Sequence, residues 1–138
     1  MNEQATGPGA VIRVLVAEDV RIVRETLVTL FSLEEDIEVV AQVAAGKSIV
    51  PAAVRHLPDV ALLDIGLPGE DGLSAAAELA GRLPDCKVVV LTALGTPDMR
   101  QRAAAAGVFA FLLKDVPAEM LLDAVRSAAR EAGSRRPG

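Results

Sequence analysis

From Val11 onward the chain alternates two patterns of apolar and polar positions. Short, nearly continuous apolar runs cover residues 11–17, 37–43, 60–64, 87–92 and 109–113. Such runs, rich in Val, Ile and Leu, predict strands covered on both faces. Between them apolar residues recur every three or four positions, the period of an amphipathic helix. Val23, Leu27, Leu30 and Phe31 share one face of the first helix, which places Arg21, Arg24 and Glu25 on its solvated side. Segments 49–56, 73–80 and 97–106 supply the middle helices, and Leu121, Val125 and Ala128 share a face of the last. Pro97 and Pro117 stand near helix starts, where a missing N–H costs nothing. Five strand–helix pairs in alternation predict an α/β fold: a parallel sheet with helices on both faces.

A length of 138 residues fits one domain, and 51% apolar with 24% charged residues gives it material for a core. The ends lack periodicity. Residues 1–10 are expected to be a flexible tail, 11–132 the folded domain, and 133–138 a tail or the start of a linker, the closing Ser134-Arg135-Arg136-Pro137-Gly138 favouring the linker. A net charge of −5 argues against a nucleic-acid-binding surface. Cys86 is the sole cysteine, so an intramolecular disulfide and a multi-cysteine zinc site are excluded; it precedes a buried strand and reads as structural. The first residues show neither a basic n-region nor an apolar h-region, and no run free of charge is long enough to cross a bilayer. These features predict a soluble, cytoplasmic protein.

Open parallel sheets bind ligands beyond the carboxyl ends of their strands. Here those ends carry Glu18-Asp19 after the first strand, Asp64 at the third, Thr92 at the fourth and Lys114 after the fifth. Each has an ordinary explanation when taken singly: helix capping for Glu18-Asp19, a turn for Asp64, strand propensity for Thr92, a surface lysine for Lys114. Chance capping gives no reason for all of them to fall on one edge. Three carboxylates in one cleft repel each other, which implies a hard divalent cation. Mg²⁺ suits carboxylate and backbone oxygens and commonly engages a phosphate too. The parts suit phosphoryl transfer, which depends on placement and charge neutralisation. His56, the sole histidine, ends a helix and is given no role, so a Ser/His/Asp triad is not expected; no Walker-type glycine loop is present.

Four blocks carry a resemblance: Val14-Leu15-Val16-Ala17-Glu18-Asp19; Leu63-Asp64-Ile65-Gly66-Leu67-Pro68-Gly69-Glu70-Asp71-Gly72; Val90-Leu91-Thr92-Ala93; and Phe111-Leu112-Leu113-Lys114-Asp115. They resemble the signatures of response-regulator receiver domains, over about residues 11–133. Gly107-Val108-Phe109-Ala110-Phe111 and the Lys114-Asp115 ending are similar to the NarL/FixJ branch. Residues 32–40 resemble those of its desaturase-regulating members. The resemblance implies a CheY-like, doubly wound (βα)5 fold with strand order 2-1-3-4-5.

It also implies that Asp64 accepts a phosphoryl group from a sensor histidine kinase or a small phosphodonor. Asp19, Asp64 and the Gly66 carbonyl would hold Mg²⁺, with Glu18 acting largely through water. Lys114 would pair with phosphoryl oxygens, Pro68 and Gly72 would shape the rim, and Thr92 with Phe111 would form a switch. The chain would then be a signalling phosphoprotein, an enzyme only toward its own aspartyl phosphorylation and dephosphorylation. Its phosphorylation-dependent homodimer would form through the first and last helices, using Leu27, Leu121, Val125 or neighbours where the core does not consume them. Its output would be a DNA-binding helix-turn-helix domain outside these residues; the domain itself would touch neither DNA nor membrane. Two departures stand out. Glu18 replaces a frequent Asp, and Asp115 stands where many receivers outside this branch have proline.

Two other functions fit parts of the pattern. A phosphorylation-independent interaction module would have no need to keep the acidic pair, threonine and lysine together. A metal-dependent phosphohydrolase with an aspartyl nucleophile would place a second Asp two positions after Asp64, where this chain has Gly66.

Overall fold

The computed structural model describes residues 10–66, 71–93 and 95–134. The expected tail residues 1–9, rim residue Pro68 with the rest of 67–70, and linker residues 135–138 lie outside the described residues. The strands are β1 (Ile12–Ala17), β2 (Ile37–Val43), β3 (Val60–Leu63), β4 (Lys87–Thr92) and β5 (Ala110–Leu113). The helices are α1 (Arg21–Ser32), α2 (Ile49–His56), α3 (Gly72–Arg82), α4 (Pro97–Ala105) and α5 (Ala118–Ser134). One 3₁₀ turn, Gly46–Ser48, leads into α2. All strand pairs are parallel, in the order β2-β1-β3-β4-β5. The order reverses between β1 and β3, which opens a crevice beyond their carboxyl ends.

Successive strand residues point to opposite faces, so each central strand feeds two cores. Leu15, Ala61, Leu63, Val88 and Val90 pack with Ile49, Ala53, Leu73, Ala76 and Leu79 on the face covered by α2 and α3. Val14, Val16, Val60, Leu62 and Val89 pack with Leu27, Phe31, Leu121, Val125 and Ala128 on the face covered by α1 and α5. Full burial of each Val, Leu, Ile or Phe side chain among them stabilises the fold by about 1.5–3 kcal/mol. The edge strands are less covered. Glu38 and Gln42 of β2 face solvent, and a register irregularity falls between Val14 and Leu15 in its pairing with β1.

Most boundaries match the sequence pattern, and the exceptions have local causes. Val11 and Phe109 stand just outside their strands and are exposed. Asp71 caps α3 by accepting the Leu73 N–H at 3.0 Å, so the helix begins at Gly72. At the other end α5 continues through Gly133 and Ser134, which composition had assigned to the tail; the buried Ala132 keeps the last turn seated. Arg126 ties α5 to the turn before β2 through Asp36 (2.8 Å) and Glu34 (2.7 Å). Its hydrogen bond holds the Asp36 carboxyl below the ordinary carboxylate range.

Helix α2 ends on Leu57, whose φ of 50° is left-handed. Arg13 stabilises this end by donating to the carbonyls of His56 and Leu57. A leucine in this conformation is strained, and its side chain is largely exposed. Leu57→Asn is expected to raise stability by about 0.5–1 kcal/mol, read from the urea midpoint.

Candidate functional site

The carboxyl ends of β1 and β3 bring Glu18 and Asp64 together because the two strands are adjacent: the Asp64 N–H continues the ladder to the Ala17 carbonyl at 3.0 Å. One carboxylate oxygen from each of Glu18, Asp19 and Asp64 lies within 4.8 Å of the others. Glu18 is only 1% exposed and Asp64 9%, whereas Asp19 faces solvent. This is the juxtaposition expected from the strand ends, and three oxygens at this spacing fit a hard divalent cation.

Lys114 follows β5 and reaches across the crevice. Its Nζ lies 2.8 Å from Glu18 Oε1 and 3.0 Å from Asp64 Oδ2, bridging the two buried carboxylates. Burial alone lowers an ammonium pKa; the hydrogen bonds and charges of Glu18 and Asp64 outweigh it and hold Lys114 above its ordinary value. The remaining carboxylate oxygens are also engaged. Glu18 Oε2 accepts the Val20 N–H at 3.0 Å, and Asp64 Oδ1 accepts the Gly66 N–H at 2.9 Å. Glu18 is therefore not the N-cap that its position before a helix suggests; Val20 holds that place without a side-chain cap bond.

Thr92 ends β4 and is 5% exposed, and its carbonyl accepts the Lys114 N–H at 2.8 Å. Phe111 on β5 is half-buried against the α2/α3 core. The Arg100 guanidinium of α4 lies over its ring, 4.8 Å from the centroid. The main-chain carbonyl of His56 accepts a hydrogen bond from Arg13. Cys86 is buried, which pushes its thiol up to about 12, and it precedes β4, at the opposite end of that strand from Thr92.

Three contacts were not anticipated. Arg24, expected on the solvated side of α1, is half-buried and donates to the Glu18 carbonyl at 2.7 Å. Arg102 of α4 pairs with Asp71 at 3.1 Å, and Arg100 stacks on Phe111. An arginine's place on a helical wheel does not reveal where its long stem turns. The Asp71 cap did have a signal: Asp-Gly immediately before the apolar period of α3.

A family model described as response regulator receiver domain matches residues 14–126. The transcriptional regulatory protein DesR of Bacillus subtilis is 41% identical over 116 residues, 84% of this chain and 57% of that protein. LiaR of the same organism, also a transcriptional regulatory protein, is 35% identical over 119 residues, 86% of this chain and 56% of that protein. The chain thus spans just over half the length of these curated relatives. Among solved structures, the signal receiver domain of Mycobacterium tuberculosis NarL superposes with a TM-score of 0.83 at 33% identity, covering 87% of this chain and 97% of that one. The beryllofluoride-activated receiver domain of Klebsiella pneumoniae RstA does so with 0.79 at 28% identity, covering 86% and 98%.

Proposed function

Because the chain belongs to the response-regulator receiver family, within which its relatives include NarL-type transcriptional regulators, we propose that Asp64 is its phosphoacceptor and that Mg²⁺ is its cofactor. The observation that carries this reading is the three-carboxylate cluster of Glu18, Asp19 and Asp64 with Lys114 spanning it. Asp19, Asp64 and the Gly66 carbonyl would hold the cation directly, and Glu18 through water. Bound there, Mg²⁺ supplies positive charge to the oxygens of the phosphoryl group in transit.

An Asp64 carboxylate oxygen forms the new bond to phosphorus as the bond from phosphorus to the donor, a kinase histidine or a small acyl phosphate, breaks. Lys114 exchanges carboxylate partners for the incoming phosphoryl oxygens. Thr92 and Phe111 form the switch: the hydroxyl turns toward a phosphoryl oxygen, and the ring moves inward into the space it leaves. That rotation gives up the Arg100 contact, worth about 0.5–1 kcal/mol, which new charge-assisted hydrogen bonds can exceed. The domain acts as a signalling phosphoprotein in the cytoplasm, receiving its phosphoryl group from a sensor histidine kinase. It controls a helix-turn-helix output domain outside these residues. Among the described residues no helix is long and apolar enough to cross a membrane.

The proposed homodimer uses α1 and α5. Leu27, Leu121 and Val125 are consumed by the core, so they are not available to a partner. Ile22 at 68% exposure, Leu33 at 74% and Met120 at 49% remain on the same side of the sheet. Light scattering is expected to show association when beryllofluoride and Mg²⁺ are added, and an Ile22→Asp variant is expected to remain monomeric. An unchanged wild-type mass under those conditions would remove the dimer from the reading. Phosphoryl uptake is tested by phosphorus NMR with acetyl phosphate: an acid-stable, base-labile acyl phosphate on the protein is expected with Mg²⁺ and not with excess EDTA.

A further inference from the structure

The contact between Arg24 and the Glu18 carbonyl bears on how the acidic pair is held. In the β1 ladder the Ala17 carbonyl is taken by the Asp64 N–H, and the Glu18 N–H is taken by the Val43 carbonyl at 3.0 Å. The Glu18 carbonyl lies one residue beyond the strand. It receives Arg24 Nη1 at 2.7 Å, from a residue six positions along the chain in α1. This carbonyl belongs to the peptide that joins Glu18 to Asp19, so the guanidinium grips the link between two of the three clustered carboxylates.

The choice of acceptor matters chemically. Lys114 occupies one oxygen of Glu18 and one of Asp64, and so competes with a cation for them. Arg24 binds a main-chain oxygen instead and brings its positive charge near the cluster through a carbonyl. Asp19 is exposed, and repulsion from the buried Glu18 and Asp64 favours its turning outward. Fixing the peptide on its N-terminal side restricts that movement.

We infer that Arg24 is a positioning residue for the cation site: by holding the Glu18–Asp19 peptide it keeps the Asp19 carboxylate turned toward Asp64. This rests on the reading of the cluster as a Mg²⁺ site. Groups that orient metal ligands from behind typically change metal affinity about 10- to 100-fold when removed. Among the described residues the contact is one charge-assisted hydrogen bond near the start of a helix whose apolar face stays packed, so the effect on unfolding is smaller than the effect on the cation.

The test is a calorimetric Mg²⁺ titration of the full chain, with a urea midpoint and an amide NMR spectrum for each variant. Arg24→Met, which keeps an apolar stem, is expected to bind Mg²⁺ about 10- to 100-fold more weakly while its spectrum shows the native fold. Arg24→Lys, which can donate to the same carbonyl, is expected to recover part of the loss. Arg21→Met, on the exposed side of α1, is expected to bind as wild type does. Should Arg24→Met fail to fold, Arg24→Gln, too short to reach the carbonyl, takes its place with the same expected weakening. A folded Met or Gln variant with wild-type affinity overturns the role of Arg24 and leaves the cation reading standing. A wild type that binds no Mg²⁺ overturns both.

Discussion

Lys114→Met is expected to slow phosphoryl uptake about 100- to 1,000-fold, the usual cost of losing one preorganised donor to a developing charge. The same substitution is expected to destabilise the domain by about 3 kcal/mol without Mg²⁺. The ammonium stands between Glu18 Oε1 and Asp64 Oδ2, and Glu18 is almost wholly buried. Removing it leaves two carboxylates facing each other with, among the described residues, the main-chain N–H groups of Val20 and Gly66 as their remaining hydrogen-bond donors. A divalent cation can replace part of the lost charge, so urea midpoints with and without Mg²⁺ are expected to differ more in this variant than in wild type. The pH dependence follows from the raised pKa of Lys114. A cation whose folded pKa lies above its unfolded one stabilises fully below the unfolded value. Its contribution disappears as pH rises through the folded value. The contribution is therefore present at neutral pH and lost above the ordinary lysine range, and Lys114→Met is expected to flatten that alkaline fall.

Gly72→Ala is expected to cost about 1–3 kcal/mol, although it adds a single methyl group to a helix. A Cβ at this position would lie 2.8 Å from Ile65 Cα and 3.2 Å from the Asp64 carbonyl oxygen. Both obstacles are backbone, so no rotamer change relieves them, and the segment carrying Asp64, the proposed acceptor, must shift. Uptake of the phosphoryl group should consequently fall further than the urea midpoint implies. Gly81 in the same helix supplies the control. Among the described residues, and apart from the adjoining backbone of its own helix, no atom lies within 4 Å of the corresponding Cβ, so Gly81→Ala is expected to stabilise by about 0.5–1 kcal/mol. The two glycines share a helix, and their surroundings set opposite signs.

The parallel sheet was legible because each central strand is apolar on both sides, as in Val60-Ala61-Leu62-Leu63. Amphipathic spacing likewise marked Leu27 and Phe31 or Leu121 and Val125 as core. Once strand ends were located, Glu18, Asp19, Asp64, Thr92 and Lys114 followed, because parallel strands deliver their carboxyl ends to one edge. The receiver resemblance supplied what spacing alone does not: the strand order, which the sheet has, and the roles proposed for Thr92, Phe111 and Gly66. Long flexible side chains defeated the pattern. Arg24 and Arg100 lie on helices whose period describes Cβ directions, whereas their guanidinium groups end several ångströms away, on a carbonyl and on an aromatic face. The end of α5 was missed for the opposite reason: Gly133 and Ser134 are poor helix formers, and tertiary packing of Ala128 and Ala132 extends the helix over them.

Intact-mass analysis of wild type beside Asp64→Asn, each incubated with acetyl phosphate and Mg²⁺, bears most directly on the acceptor. One added phosphoryl group on wild type and none on Asp64→Asn is the predicted result. An unmodified wild type, or equal labelling of both proteins, would contradict it.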